Sequence, residues 1–389
     1  MVDLRGGAGE ATAMWAVTRF ALLALTASFI FLQAYAQRSR APSPLAVWDQ
    51  WDTHWYLRIA EQGYGIRETA NFFPLYPMLT GSVARLLALA AHVPATHGLY
   101  VAAGLAVSNL AALVAFVALA RLADGEGEDG PLTVALLSAY PFAFFLAAAY
   151  TEGLFLALAA LALLSARRGR WGAAAIACFL AGLTRSAAVV LVLPVLYEVC
   201  RQQGIFQLVR RRDWRPILAA RRLLPVLVLA AAVPLAFALY MGFLWLRFGD
   251  PLLFVHTQQS IWHHQLTPPW STLARALAAP LHGWTGMEPV DLGLVLLAAL
   301  LTLLGARRLP FAFTLYTAGL LLLLLSTPIT QQHDLLASAG RYLTVAIPCF
   351  LLVESWARTR RWLQLLVMST GFMVQAVLAT VFLAGGPVY

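Results

Sequence analysis

Between Trp51 and Gly65 the chain reads WDTHWYLRIAEQGYG, which sets two carboxylates, Asp52 and Glu61, beside His54 and several aromatics. An apolar run long enough to cross a bilayer precedes this polar stretch, so Asp52 stands at the lip of a membrane. A carboxylate there is costly if buried unpaired. Asp52 therefore either caps the helix that follows it or serves a reaction. Three further charges interrupt apolar sequence: Glu152 after Tyr150-Thr151, Arg185 in Thr184-Arg185-Ser186, and Arg341 after Gly340. Brought together, a carboxylate and two guanidiniums near a loop aspartate make a site for an anionic ligand with a base beside it. Kept apart, Glu152 caps its helix and the two arginines extend to the membrane surface.

The elements that must position these groups are membrane helices. Hydrophobic residues make up 61% of the chain and charged residues only 12%, a balance outside the range of soluble domains. Runs of about 20 apolar residues recur from Trp15 almost to the C-terminus, each able to cross a hydrocarbon core of roughly 30 Å. The first, Trp15 to Ala36, ends in Ala34-Tyr35-Ala36 but is too long for a cleaved signal core, and reads as an uncleaved span. Fifteen arginines gather in four short connections, 166–171, 200–222, 305–309 and 357–362. The rule that cytoplasmic loops are basic puts these inside. Connections 249–289 and 327–340 hold Arg275 as their single arginine and face outward. The expected fold is a single all-α polytopic membrane domain over 1–389, with about eleven transmembrane helices, the N-terminus inside and the C-terminus outside. Spans are expected at 98–122, 131–149, 151–166, 171–185 and 186–200. The basic loops at pI 9.9 face anionic headgroups rather than nucleic acid.

The first outer loop, 37–97, is expected to carry two helices lying along the surface. In one, from Thr53, Trp55, Tyr56, Ile59 and Ala60 share a face that would bury in the interface, opposite His54, Arg58, Glu61 and Gln62. Asp52 occupies the N-cap position and Gly63 the stop. The other is Leu75 to Ala91, with Arg85 in its middle and Pro74 and Pro77 at its start. His256, His263 and His264 in loop 249–289 lack the companions and spacing of a metal site, so no metal is expected. Trp262, Trp270 and Trp284 in that loop offer either sugar-stacking faces for an acceptor or lid, or interfacial anchors. Cys178, Cys200 and Cys349 read as membrane-packing residues. Arginine replaces lysine throughout, a GC-rich coding bias that suits a bacterial source.

The string formed by Trp51, Asp52, Trp55, Tyr56, Leu57, Ile59, Ala60, Gly63 and Tyr64 resembles the first luminal loop of the PIG-V family, the GPI mannosyltransferase 2 group and its prokaryotic relatives. The resemblance continues through Phe72-Phe73-Pro74-Leu75-Tyr76-Pro77, Ala149-Tyr150-Thr151-Glu152 and Thr184-Arg185-Ser186, and more loosely to Gly340-Arg341-Tyr342. His54 and Trp55 stand where the eukaryotic enzymes have an acidic residue and then histidine, so no role tied to that histidine carries over.

What the resemblance implies is a GT-C glycosyltransferase, moving a sugar from a polyprenyl-phosphate carrier to an acceptor hydroxyl on the outer face, with inversion. The implied donor is polyprenyl-phosphate mannose, and the implied acceptor a glycan, lipid or protein. The lipid-linked sugar is a substrate, and no cofactor is implied. Asp52 matches the motif aspartate and takes the role of base. Arg341 or Arg185 would hold the donor phosphate, and Glu152 would orient a sugar hydroxyl or Arg185. Tyr56, Tyr64 and Tyr342 of the matched strings, and Asp49 in Trp48-Asp49, complete the substrate-binding candidates. The setting would be a bacterial plasma membrane, or the endoplasmic reticulum in a eukaryote. The rival reading is a lipid or sugar transporter, which places its ionisable groups near the bilayer midplane, often within internal repeats.

Overall fold

In the computed structural model, residues 6–38, 41–217, 219–279, 283, 286–330 and 334–388 are described. The chain begins with α1 (Gly6–Gln37). Two shorter helices, α2 (Asp52–Gln62) and α3 (Leu75–Ala91), occupy the first loop. There follow α4 (His97–Glu126), α5 (Gly130–Ser138), α6 (Glu152–Arg167), α7 (Trp171–Gly182), α8 (Val192–Gln202) and the short α9 (Ile205–Arg210). Beyond these lie α10 (Ala220–Phe248), α11 (Leu253–Ser260), α12 (Pro269–Ala278) and α13 (Glu288–Gly305). The chain closes with α14 (Phe311–Ser326), α15 (Ala339–Leu343), α16 (Ile347–Ala357) and α17 (Arg361–Leu383).

This is an all-α membrane architecture. Among the described residues five helices, α1, α4, α10, α13 and α17, are long and apolar enough to cross a bilayer on length and composition. The remaining apolar runs are broken. The run expected as one span over 131–149 is helical only to Ser138 and then bends, re-forming as a single 3-10 turn at Ala143–Leu146. Pro141 supplies the reason, since it lacks an N–H and disfavours helical geometry in the residue before it. The runs 171–185 and 186–200 divide differently as well. α7 stops at Gly182, and Ser186–Leu191 is a 3-10 segment that leads into α8.

The core is built from close helix contacts. α4 packs along α6, and the two helices bury many small side chains, among them Ala111, Ala112 and Ala115 on α4 and Ala157 and Ala160 on α6. Small residues let helices approach in lipid, where dispersion rather than water exclusion drives association. α6 then packs on α7, and α7 on α10.

Charge separates to the two ends of these helices. At the C-terminal end of α6, Arg167 donates to both oxygens of Glu126 on α4, at 2.6 and 2.7 Å, and to Glu198 of α8 at 3.1 Å. Arg201 adds a second guanidinium to Glu198. At the N-terminal end of α6, Glu152 faces Arg185 and Arg341. The 16 residues of α6 put these clusters about 24 Å apart.

α2 and α3 have the expected ranges but not the expected surroundings. The aromatic face of α2 is buried in protein rather than in the membrane interface. Tyr56 packs edge-on against Phe72, Tyr76 and Tyr150, with ring centroids 5.0, 5.1 and 6.3 Å away. Arg85 of α3 reaches back to donate to Ala60 O at 2.8 Å, satisfying a carbonyl in the last turn of α2. Gly63 ends α2 at φ 73°, a left-handed conformation that costs glycine little.

Candidate active site

Asp52 does not cap α2. Trp51 takes the N-cap position and Asp52 is the first helical residue, its carboxylate aimed away from its own backbone. Trp51 has φ 53° and ψ −119°, a sparsely populated region for a side chain of this size. The Trp51 indole N–H donates to Gly386 O at 3.0 Å, and the Asp52 N–H donates to the Tyr150 hydroxyl at 3.2 Å. These contacts hold a turn that directs Asp52 toward the neck of the helix bundle.

There Arg341 Nη1 donates to Asp52 Oδ2 at 2.6 Å. Arg341 Nε lies 3.4 Å from Glu152 Oε1, and the same oxygen accepts from Arg185 Nη1 at 2.6 Å. The result is an alternating row, Asp52, Arg341, Glu152, Arg185, with two negative and two positive groups. Exposure falls from the Asp52 side chain at 27% to Arg341 at 9% and Glu152 at 1%, and rises again to 15% at Arg185. Buried charges persist only when paired in this way. Among the described residues, Glu152 Oε2 and Arg341 Nε have no hydrogen-bond partner.

Aromatic faces line the cations. The Arg341 guanidinium lies 5.3 Å from the ring centres of Tyr150 and Tyr342 and 5.7 Å from Phe145. Arg185 lies 5.0 Å from Tyr342. Planar guanidiniums stack on such rings and keep their in-plane N–H groups for an anion.

The backbone that carries Arg341 is fixed from three directions. Gly340 N–H donates to Asp291 Oδ1 of α13 at 2.8 Å, and Gly340 O accepts from the Tyr140 hydroxyl at 2.8 Å. A Cβ at Gly340 would collide with the Phe142 ring, so only glycine permits the approach. Asp291 is fully buried. A lone aspartate opening the apolar run from Leu292 is the signal by which sequence reasoning can find it, since ionisable groups in such runs are seldom idle.

The row opens into a cleft of about 450 Å³ lined by Asp52, Tyr56, Arg185, Arg341 and Tyr342, with Trp262 and His264 from the loop before α12. Trp262 packs against Trp55 and Phe72, at 5.8 and 5.7 Å between ring centres. His264 Nδ1–H donates to Thr327 O at 2.6 Å, and a short antiparallel bridge joins His264 to Ile329. Burial lowers the His264 imidazole below its ordinary range, opposed by the Thr327 bond and aided by the charge of Arg341. Trp270 is largely exposed and does not line the cleft, and Trp284 lies outside the described residues. His256 pairs with Asp250 at 2.8 Å, away from His264.

Two candidates fall elsewhere. Asp49 sits on the outer side of α2, where His97 of α4 bridges it, at 2.7 Å, to Glu61 at 2.5 Å. His54 approaches the same carboxylate at 3.4 Å. Tyr64 turns its hydroxyl to Phe72 O at 2.6 Å and packs on Tyr240, outside the cleft. The intervening Gly63 swings the chain away from the helix face that carries Tyr56. Tyr56 lines the cleft, with its hydroxyl engaged by Thr151 Oγ1 at 3.2 Å.

The profile of the family described as mannosyltransferase (PIG-V) matches residues 19–253, more than half of the chain. The chain belongs to this family. The matched region contains Asp52, Glu152 and Arg185, whereas Arg341 and Asp291 come from the part beyond it. No curated protein matches the chain. Family membership and a multi-pass helical architecture make it a glycosyltransferase of the GT-C kind, a membrane enzyme of transferase type.

Proposed function

We propose that the protein transfers mannose from a polyprenyl-phosphate mannose to an acceptor hydroxyl, with inversion, at the outer face of the membrane. The observation that carries this reading is the Asp52–Arg341 ion pair at the mouth of the cleft, backed by Glu152 and Arg185. In the reaction the acceptor oxygen bonds to the sugar C1, and the bond from C1 to the phosphate oxygen breaks. The electron pair leaves with the polyprenyl phosphate, whose charge rises from −1 to −2. The acceptor proton goes to Asp52.

A phosphate is stable as an anion, so the leaving group needs no strong general acid, and one base with one cationic seat suffices. Arg341 and Arg185 supply that seat through charge-assisted hydrogen bonds. The pairing of Asp52 with Arg341 adds a control. A donor phosphate competes for the guanidinium and thereby releases Asp52 Oδ2 to act as base only when donor is bound. Tyr342 and Trp262 offer faces for the sugar and acceptor.

The reading includes eleven passes, with the Arg167 and Arg201 end cytoplasmic and the Asp52 end outside. In support, α4 and α6 run from the Asp52 end to the Arg167 end while α7 and α10 run back, and arginine concentrates at one of the two ends. A transporter would hold its ionisable groups midway along interrupted helices. Here the row sits at helix ends, with Glu152 at the first position of α6.

The test is transfer of labelled mannose from short-chain polyprenyl-phosphate mannose to membrane extracts by purified protein and by Asp52→Asn. Labelled product from the wild type, falling by about 10² to 10⁴-fold in the variant, is the expected result. Equal activity in the two would remove Asp52 from the chemistry. Absence of product with folded, donor-binding protein would move the assignment to another carrier-linked sugar.

A further inference from the structure

Back to back with the cleft lies a second and larger cavity, of about 790 Å³. Among the described residues the two share no lining residue, yet they adjoin across the same pieces of chain. Phe73 faces the cleft and Pro74 the cavity; Thr184 faces the cleft and Leu183 the cavity. Leu75, Pro77 and Met78 from α3 form one side of the cavity, and Leu239, Tyr240 and Phe243 from α10 the other. Met78 is 64% exposed and Leu239 58%, so the rim opens onto the apolar perimeter of the molecule.

One end of this groove is cationic. Arg85 Nη2 is held by Ala60 O at 2.8 Å and Arg247 Nε by Tyr64 O at 3.0 Å, carbonyls only four residues apart. Each of these bonds occupies one of the five N–H groups of a guanidinium. Both arginines line the groove, and no aspartate or glutamate does, among the described residues. α10 leaves the arginine-rich connection 200–222 and reaches Arg247 one residue before its end, which places this cationic end at the same face as Asp52.

We infer that this groove binds one anionic phospholipid of the surrounding membrane, its acyl chain between α3 and α10 and its phosphate on Arg85 and Arg247. An apolar trough closed by two guanidiniums complements a chain that ends in a phosphate. Giving the groove to a second lipid, rather than to the donor, rests on the reading above. The donor carries one phosphate, and that phosphate is taken by Arg341 and Arg185 across the wall. The bound lipid braces the end of α2, where Arg85 holds Ala60 O in the last turn and Arg247 holds Tyr64 O just past the Gly63 stop, and so steadies the helix that starts with Asp52.

The experiment is native mass spectrometry and thermal unfolding of the full-length, delipidated protein on addition of phosphatidylglycerol, phosphatidylcholine or citronellyl phosphate. Wild type is compared with Arg85→Gln/Arg247→Gln and with Leu239→Trp, which fills the trough without removing a hydrogen bond. The expected result is at least tenfold tighter binding of phosphatidylglycerol than of phosphatidylcholine. That preference falls to within twofold in the double glutamine variant, and Leu239→Trp weakens both lipids. Equal binding of the two phospholipids by wild type overturns the inference. So does displacement of phosphatidylglycerol by citronellyl phosphate that both groove variants abolish, because the groove then belongs to the donor. Mannose transfer is measured on the same preparations. Transfer without lipid preference defeats the groove alone, whereas lipid preference without transfer defeats the donor reading alone.

Discussion

Arg341 is the residue on which the row turns, since it touches Asp52 and Glu152 at once and lies against three aromatic rings. A lysine has the charge but not the planar fork that reaches both carboxylates. Arg341→Lys is therefore expected to lose transfer nearly as fully as Arg341→Gln, by about 10² to 10³-fold in kcat, measured with saturating donor. Glu152 differs in kind. Its carboxylate is buried between two guanidiniums, and Glu152→Gln leaves both short of a counter-charge. The expected cost is about 3–5 kcal/mol of stability, seen as a lower thermal midpoint in detergent even where Asp52→Asn folds normally. The sequence marked Asp52, Glu152, Arg185 and Arg341 one by one, because each is a costly charge in apolar surroundings. Their convergence was not legible, since Asp52 and Arg341 are 289 residues apart and periodicity carries no long-range information. Asp49 is a second carboxylate close by that lacks the W-Y-L spacing following Asp52, and the structure turns the two apart at Trp51, a dihedral that no residue pattern announces.

Between elements, the site depends on how two loop segments are clamped to helices. The Gly340 backbone is pinned by Asp291 and Tyr140 and pressed against Phe142. Gly340→Ala must displace that ring, with an expected cost of about 1–3 kcal/mol and a loss of transfer that Asp291→Ala shares, as measured by thermal unfolding and kcat together. The second clamp is His264, which ties the loop before α12 to Thr327 and Ile329. Burial keeps its imidazole neutral in the folded protein, so below about pH 6.5 the unfolded chain takes up a proton that the folded chain refuses. Stability contributed by this group is present above that pH and is lost as pH falls. A plot of thermal midpoint against pH should therefore descend more steeply on the acid side for wild type than for His264→Asn; parallel curves would exclude the effect. Sequence pattern marked the ranges of α2 and α3 closely, because the facing of residues from Thr53, the stop at Gly63 and the prolines before and within the start of α3 are local signals. It failed at 131–149 and 171–200, because counting apolar residues does not detect a helix interrupted at Pro141 or after Gly182.

At the scale of the whole molecule, the two charged clusters about 24 Å apart divide the protein into an arginine-rich end and an end that carries the Asp52 cleft. The α6 helix joins them directly, with Glu152 at its start and Arg167 at its end. A polar group at each end resists sliding along the membrane normal, since moving either into hydrocarbon would strand its charges. Positions on opposite ends must then differ in access to a reagent that does not cross lipid. The native Cys178 and Cys349 are buried and give little background, while Cys200 is half-buried at the arginine-rich end. Arg58→Cys lies on the exposed face of α2, and Arg210→Cys at the exposed end of α9, the first position of the arginine triplet. In intact cells an impermeant maleimide should label the cysteine at 58 and spare the one at 210, with both labelled after permeabilisation. The reverse pattern would put the Asp52 cleft on the cytoplasmic side, and the donor would then have to present its sugar there. On the proposed reading, the orientation of the whole chain decides from which leaflet a carrier lipid would deliver its sugar to the Asp52 cleft.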